Sequence, residues 1–151
     1  MSVAVGQVAP DFTLVNQRGE EVTLSGLRGR IVVLIFYPFA FSSICTDEWC
    51  ALRDRSAEFG DDTVVLGVSV DTKHALRVFR EQEGLTFDLL SDFWPHGEVA
   101  QQYGVFLPER GMATRATFVI DRDGVVRWAL VNHPGEARDP GAYREAVARL
   151  T

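Results

Sequence analysis

The chain has 151 residues, of which 46% are hydrophobic and 24% are charged, and its formal net charge is −6. This length and composition predict one soluble globular domain, residues 1–151, with a core of its own. The acidic balance argues against nucleic acid and anionic membrane surfaces as partners. The longest apolar run, Ile31 to Tyr37, is too short to cross a membrane.

The N-terminal residues contain neither a basic segment nor a long apolar stretch, so we expect no signal peptide and a cytoplasmic location. Structural disulfides are rare in that compartment, whereas a catalytic disulfide is possible. The two cysteines and three histidines do not have the spacing of a structural zinc site. We therefore expect neither a bound metal nor a cofactor.

The first predicted elements are a β-hairpin and a buried strand. Segments 12–15 and 22–24 flank a turn-forming stretch and predict the hairpin. The unbroken apolar run Ile31 to Tyr37 predicts a buried strand. Pro38 ends this strand, because proline has no N–H for the hydrogen-bond ladder.

A helix is predicted after this strand. Ser42 and Ser43 are favourable N-cap residues, and residues from Cys45 to Phe59 recur on one helical face. The later elements follow as a strand at 63–70, a helix at 73–83, a strand at 87–90, a helix at 98–103, an irregular stretch at 107–114, strands at 116–120 and 125–131, and a helix that begins at Asp139 and Pro140. This order predicts an α/β fold with helices on the faces of a mixed sheet.

Cys45 falls in the first turn of the predicted helix, at the carboxyl edge of a central strand. Open α/β sheets place their sites at that edge. The free N–H groups and partial positive charge at a helix start favour an anion, and the thiolate is the nucleophilic form of cysteine. The pattern supports a reactive cysteine, although a small buried hydrophobic residue fits the same position.

Pro38, Ser42 and Cys45 form a Pro-x-x-x-Ser-x-x-Cys pattern that resembles the active-site motif of peroxiredoxins. Glu48 stands where that family often has a glutamate, three residues after the cysteine. Arg115 stands where the family has its second essential arginine. The resemblance covers almost the whole chain and implies a thioredoxin-like fold, with a central mixed sheet flanked by helices and an N-terminal β-hairpin.

Segments 90–97 and 103–106 are most similar to the alkyl hydroperoxide reductase E type of peroxiredoxin. Members of that type work with a single cysteine, whereas Cys50 follows Cys45 here by five residues. This spacing resembles the bacterioferritin comigratory, or Q-type, peroxiredoxins, in which the second cysteine resolves the first. The chain therefore resembles the E type overall, with a Q-type second cysteine.

The resemblance implies a thiol-dependent peroxidase that reduces hydrogen peroxide, organic hydroperoxides or peroxynitrite and converts Cys45 to a sulfenic acid. Arg115 would hold the Cys45 thiolate charged. Ser42 would help to orient the peroxide, and Pro38 would shield the pocket from water. Glu48 is expected to orient Arg115 rather than to act as a base.

Cys50 would resolve the sulfenic acid as an intramolecular disulfide, which a thioredoxin-like partner would reduce. Five residues of continuous helix rise about 7.5 Å, and disulfides usually need Cα atoms closer than about 7 Å. The attack on Cys45 therefore requires the first helical turns to unwind. The resemblance also implies a homodimer, through an edge near Phe39 and Phe41.

Several alternatives stay open. In one alternative Cys50 is an inert core cysteine, and an external thiol reduces the sulfenic acid. Ser42 could serve only as a helix cap, and Arg115 could be an ordinary surface arginine. A non-catalytic redox sensor or interaction module would use Cys45 as a switch. A general thiol–disulfide oxidoreductase is a further alternative, but the C-x-x-C motif of such enzymes is missing.

Overall fold

The computed structural model describes residues 2–150, and a seven-stranded sheet in the order β2-β1-β5-β4-β3-β8-β9 is its centre. The strands are β1 (Thr13–Val15), β2 (Glu21–Thr23), β3 (Ile31–Phe36), β4 (Thr63–Ser69), β5 (Asp88–Ser91), β6 (Phe106–Leu107), β7 (Met112–Ala113), β8 (Arg115–Ile120) and β9 (Val126–Asn132). The helices are α1 (Ser43–Asp54), α2 (Lys73–Gln82), α3 (Glu98–Gln102) and α4 (Pro140–Ala148). Two 3₁₀ turns span Leu24–Leu27 and Ser56–Phe59.

The sheet is mixed, as the sequence predicts. β3 pairs in parallel with β4, and β4 pairs in parallel with β5. β8 runs antiparallel to β3 on its other side and forms a hairpin with β9. The predicted N-terminal hairpin is also present, as the antiparallel pair β1–β2.

Strand β3 is buried along its whole length because both faces of the sheet are covered. Successive side chains of a strand point to opposite faces. Ile31, Val33 and Ile35 accordingly pack in one core cluster with residues of α1, α2 and α4. The alternate side chains of β3 pack in a second cluster, which includes Tyr103 and the N-terminal segment.

Helix α1 begins where the sequence predicts but ends earlier, at Asp54. Arg55 leaves the helical conformation with φ −113° and ψ 11°, and the chain continues in the 3₁₀ turn Ser56–Phe59. Phe59 is nevertheless buried, because its ring stacks on Tyr143 of α4 at a centroid distance of 6.2 Å. The apolar periodicity therefore identified a buried residue correctly but not the end of the helix.

The stretch 107–114, predicted to be irregular, contributes to a small second sheet. Phe106 pairs with Ala113 and Leu107 pairs with Met112 in the antiparallel hairpin β6–β7. Each strand has only two residues, so no alternation of apolar and polar residues is available to reveal it. Within residues 2–150, none of the helices is long and apolar enough to cross a membrane.

Candidate active site

Cys45 lies at the start of α1, on the segment that follows the central strand β3. Ser42 is the N-cap residue of α1, and its hydroxyl oxygen accepts a hydrogen bond from the Cys45 N–H at 3.4 Å. Phe41, just before the cap, has a φ of 71°, which is uncommon for a residue other than glycine. The Cys45 side chain is fully buried, and Pro38 is buried beside the end of the strand.

Arg115 faces Cys45 from the neighbouring strand. Phe36, the last residue of β3, pairs with Ala116, so the first residue of the antiparallel strand β8 lies at the edge where α1 begins. The Arg115 guanidinium is almost fully buried, and its Nη1 lies 3.2 Å from the Cys45 Sγ. Its Nε donates a hydrogen bond to the Pro134 carbonyl oxygen at 2.6 Å, which fixes the plane of the guanidinium.

Glu48 lies one helical turn after Cys45, on the same face of α1. Its Oε1 accepts hydrogen bonds from Arg115 Nη1 at 2.6 Å and from Arg138 Nη2 at 2.8 Å. Burial disfavours the carboxylate, but hydrogen bonds from Arg138, together with the charges of Arg138 and Arg115, hold the pKa of Glu48 below its usual value. The site thus contains an ionised glutamate between two buried arginines.

Arg138 is a part of this site that the sequence analysis did not assign. It is buried, and its Nη1 donates to the carbonyl oxygens of Phe36 at 2.7 Å and of Ala116 at 2.9 Å. It therefore connects the end of β3 to the start of β8 while it binds Glu48. Its hydrogen-bond partners lie 21 to 102 positions away in the chain, so no local spacing signals its role.

Asp71 supports the segment before Cys45, a role that the sequence did not reveal. Its Oδ2 accepts hydrogen bonds from the Ala40 N–H at 2.8 Å and from the Ser69 hydroxyl at 2.6 Å. The next residue, Thr72, is the N-cap of α2. Burial raises the pKa of Asp71, and its two hydrogen bonds offset this effect only in part.

Cys50 is a free thiol on the continuous helix α1, as is Cys45. The Cys50 side chain is half-buried, and its Sγ donates a hydrogen bond to Glu83 Oε1 at 3.3 Å. Burial and the Glu83 carboxylate raise the pKa of the Cys50 thiol. Of the predicted site residues, Ser42, Cys45, Glu48 and Arg115 are joined by hydrogen bonds. Pro38 is buried after the end of β3, and Cys50 makes its polar contact with the end of a different helix.

Two aromatic side chains beside the site, Phe39 and Phe41, are exposed. The Phe41 ring packs edge-on against Phe79 of α2 at a centroid distance of 5.1 Å. Between residues 2 and 150, the side chains of His, Cys, Asp and Glu form no group of three or more that could hold a metal ion.

Comparison with known proteins decides the family. A model of the AhpC/TSA family matches residues 5–129. The chain belongs to the AhpC/TSA family. It is 49% identical to alkyl hydroperoxide reductase E from Mycobacterium tuberculosis, over 149 residues that cover 97% of each chain.

Two solved structures are also similar to this family member. The peroxidoxin BcpB from Mycobacterium tuberculosis has a TM-score of 0.85 and 34% identity, covering 99% of this chain and 97% of the other. A reduced 2-Cys peroxiredoxin from Plasmodium vivax has a TM-score of 0.86 and 28% identity, covering 97% and 81%. The predictions of a thioredoxin-like peroxiredoxin fold and of a thiol-dependent peroxidase are confirmed.

Proposed function

We propose that the protein reduces hydrogen peroxide, organic hydroperoxides or peroxynitrite, with Cys45 as the nucleophile. The observation that carries this proposal is the 3.2 Å contact between Cys45 Sγ and Arg115 Nη1 at the first turn of α1. The guanidinium donates a hydrogen bond to the sulfur and places a positive charge beside the nucleophile. Ser42 is partly exposed, and its hydroxyl oxygen lies 3.4 Å from the Cys45 backbone nitrogen, so it can help to orient a peroxide.

In the first step, the Cys45 thiolate attacks the terminal oxygen of the hydroperoxide and the O–O bond breaks. The sulfur is oxidised to a sulfenic acid, and the peroxide is reduced to an alcohol, or to water from hydrogen peroxide. Negative charge grows on the departing oxygen, which then takes up a proton. Arg115 and the free N–H groups at the start of α1 stabilise that charge in the transition state.

Glu48 acts as the residue that orients Arg115. Both of its oxygens accept hydrogen bonds from arginine side chains or the backbone, and its ionised form is the stable one. A carboxylate in this state is a poor proton acceptor for catalysis, but it is well suited to position a cation. Arg138 completes the arrangement by holding Glu48 against the ends of two strands.

Cys50 resolves the sulfenic acid in this proposal. Its sulfur attacks Cys45 Sγ, an S–S bond forms, and the sulfenic oxygen leaves as water after taking up a proton. A dithiol of the thioredoxin class then reduces the disulfide by exchange. Because α1 is continuous from Ser43 to Asp54, the first turns must unwind before the two sulfur atoms meet.

The proposal includes a homodimer and a cytoplasmic location. Phe39 and Phe41 expose 40% and 48% of their surface, and such side chains at one edge favour burial against a second copy of the chain. A cycle that ends with reduction of a disulfide needs a compartment in which dithiol reductants are kept reduced.

The test is a thiol count with intact mass, milliseconds to seconds after one equivalent of hydrogen peroxide is added to the reduced protein. Loss of both thiols with a mass decrease of about 2 Da would support resolution by Cys50. Loss of one thiol with one added oxygen would support a one-cysteine cycle with an external thiol. Cys45→Ser should react no faster than a free cysteine, and equal reactivity of the wild type would overturn the proposal.

The number of peroxide equivalents consumed per chain distinguishes a peroxidase from a redox sensor. With a thioredoxin, thioredoxin reductase and NADPH present, a peroxidase consumes many equivalents of peroxide per chain. A sensor is oxidised once and is not recycled. Cys50→Ser in the same assay shows whether the dithiol reductant depends on the second cysteine.

A further inference from the structure

Glu83, at the end of α2, contacts two residues in the second half of α1. Its side-chain Oε1 accepts the hydrogen bond from Cys50 Sγ at 3.3 Å. Its backbone carbonyl oxygen accepts a hydrogen bond from Nη1 of Arg53, one helical turn after Cys50. Glu83 is the C-cap residue of α2, so both contacts connect α1 to an element that does not take part in the peroxide step.

Burial raises the pKa of the Cys50 thiol, and the carboxylates around it act in the same direction. Glu83 places a carboxylate against the sulfur, and Asp54 adds a second negative charge from α1 itself. Arg53 acts in the opposite direction, but its Nε pairs with Asp54 at 3.1 Å. The net result is a half-buried thiol that donates a hydrogen bond to a carboxylate.

We propose that Glu83 is a positioning residue that holds Cys50 as a thiol within folded α1 and so restrains the resolving step. This inference rests on the proposed role of Cys50 as the resolving cysteine. While the contact with Glu83 persists, Cys50 is protonated and α1 is held to α2, so Cys45 stays at the intact start of the helix and can react with peroxide. Release of the contact frees the sulfur to ionise and allows the helix to unwind.

The step that Glu83 restrains is the formation of the disulfide. Once the contact is released, the Cys50 thiol loses its proton to water. The thiolate attacks Cys45 Sγ, the S–O bond of the sulfenic acid breaks, and the oxygen leaves as water with a proton from solvent. Both sulfur atoms end as one disulfide, and peroxide is the only oxidant required.

The first measurement isolates Cys50 in the Cys45→Ser background, where it is the remaining cysteine. The rate of alkylation by iodoacetamide is followed from pH 6 to 11 with and without Glu83→Gln. This variant keeps the size of the side chain and the backbone carbonyl that Arg53 binds, but it removes the charge. We expect the midpoint of the alkylation profile to fall by about 0.5–1 pH unit. The matched control is Glu81→Gln, an exposed glutamate on the same helix, which should leave the midpoint unchanged.

The second measurement uses the chain with both cysteines. After one equivalent of hydrogen peroxide, we expect Glu83→Gln to form the disulfide about three- to tenfold faster at pH 7 than Glu81→Gln, in line with the larger thiolate fraction. An alkylation midpoint or a disulfide rate equal to that of Glu81→Gln would overturn the inference. If the wild type forms no disulfide, the resolving role of Cys50 fails and the restraint fails with it. The alkylation midpoint in the Cys45→Ser background still tests the Glu83 contact, so the two failures are distinguishable.

Discussion

Both carboxylate oxygens of Glu48 are bound by Arg138: Oε1 accepts from Nη2 at 2.8 Å, and Oε2 accepts from Nε at 3.0 Å. This two-point contact is buried, and the Arg138 backbone N–H adds a third hydrogen bond at 2.6 Å. Arg115, the first residue of β8, binds the same carboxylate. Arg115, the cation beside Cys45, is therefore held by Glu48, and Arg138 fixes Glu48 in place.

Arg138→Met should destabilise the protein by about 3–5 kcal/mol, because removal of one partner leaves a buried charge without full compensation. It also leaves the carbonyl oxygens of Phe36 and Ala116 without the donor they have in the native structure. The measurement is urea unfolding at pH 7. Arg127→Met is the matched control, since Arg127 pairs with Asp121 at an exposed position and should change the free energy of unfolding by less than about 1 kcal/mol. Equal effects of the two substitutions would contradict the structural role given to Arg138.

Arg115→Met should slow the reaction of Cys45 with hydrogen peroxide by about 100-fold or more, because it removes the donor that stabilises both the thiolate and the departing oxygen. Arg115→Lys should lose less, since it keeps the charge but not the planar set of donors that reach Glu48 and Pro134. Stopped-flow measurement of thiol loss gives the rate constants. Arg110→Met, at an exposed arginine, serves as the control. A wild-type rate in Arg115→Met would remove Arg115 from the mechanism.

The carboxyl of Asp71 provides a test through pH. Its pKa is raised above 3.8 in the folded protein by burial, so the folded state binds the proton more tightly than the unfolded state does. The ordinary pKa of this carboxyl is 3.8, so the resulting stabilisation is fully present below about pH 3.8. The stabilisation is lost as the pH rises through the pKa of the folded protein. Asp71→Asn, which stays neutral and can still accept from Ala40 and Ser69, should therefore be at least as stable as the wild type at pH 7. The difference should shrink as the pH is lowered toward 4.

Asp71→Ala separates the charge from the hydrogen bonds. It leaves the Ala40 N–H without its acceptor and should lower the free energy of unfolding by about 1–3 kcal/mol at pH 7. Urea unfolding of both variants at pH 7 and pH 4 is sufficient. A loss of stability in Asp71→Asn at pH 7 as large as that in Asp71→Ala would show that the negative charge itself is needed.

Much of the site could be predicted because its residues carry local or motif signals. Ser42 has the chemistry of a helix cap, and Cys45 and Glu48 are one turn apart on the same helix. The position of Arg115 follows from the pairing of two adjacent strands, once the order of the elements is known. These relationships depend on short-range geometry or on the topology of the sheet.

The remaining contacts depend on tertiary packing that no local pattern records. Arg138 lies in an irregular loop, and its acceptors are distributed over the whole chain. Asp71 reaches back 31 positions to Ala40, and Glu83 reaches back 33 positions to Cys50. Each of these side chains has an ordinary surface role available to it in the sequence. Only the packing of helices against the sheet brings each side chain to these partners.

Gly67 on β4 tests how tightly the active-site helix is packed. A Cβ at this position would lie 2.5 Å from the Trp49 ring, and Trp49 lies one helical turn after Cys45. Gly67→Ala should therefore displace α1, lower the free energy of unfolding by about 1–3 kcal/mol and slow the reaction of Cys45 with peroxide. Gly26→Ala is the control, because a Cβ there meets no atom within 4 Å. Urea unfolding and stopped-flow thiol loss give the two quantities. If Gly67→Ala is less stable but its Cys45 reacts at the wild-type rate, the geometry at Cys45 does not depend on the packing of Trp49 against β4.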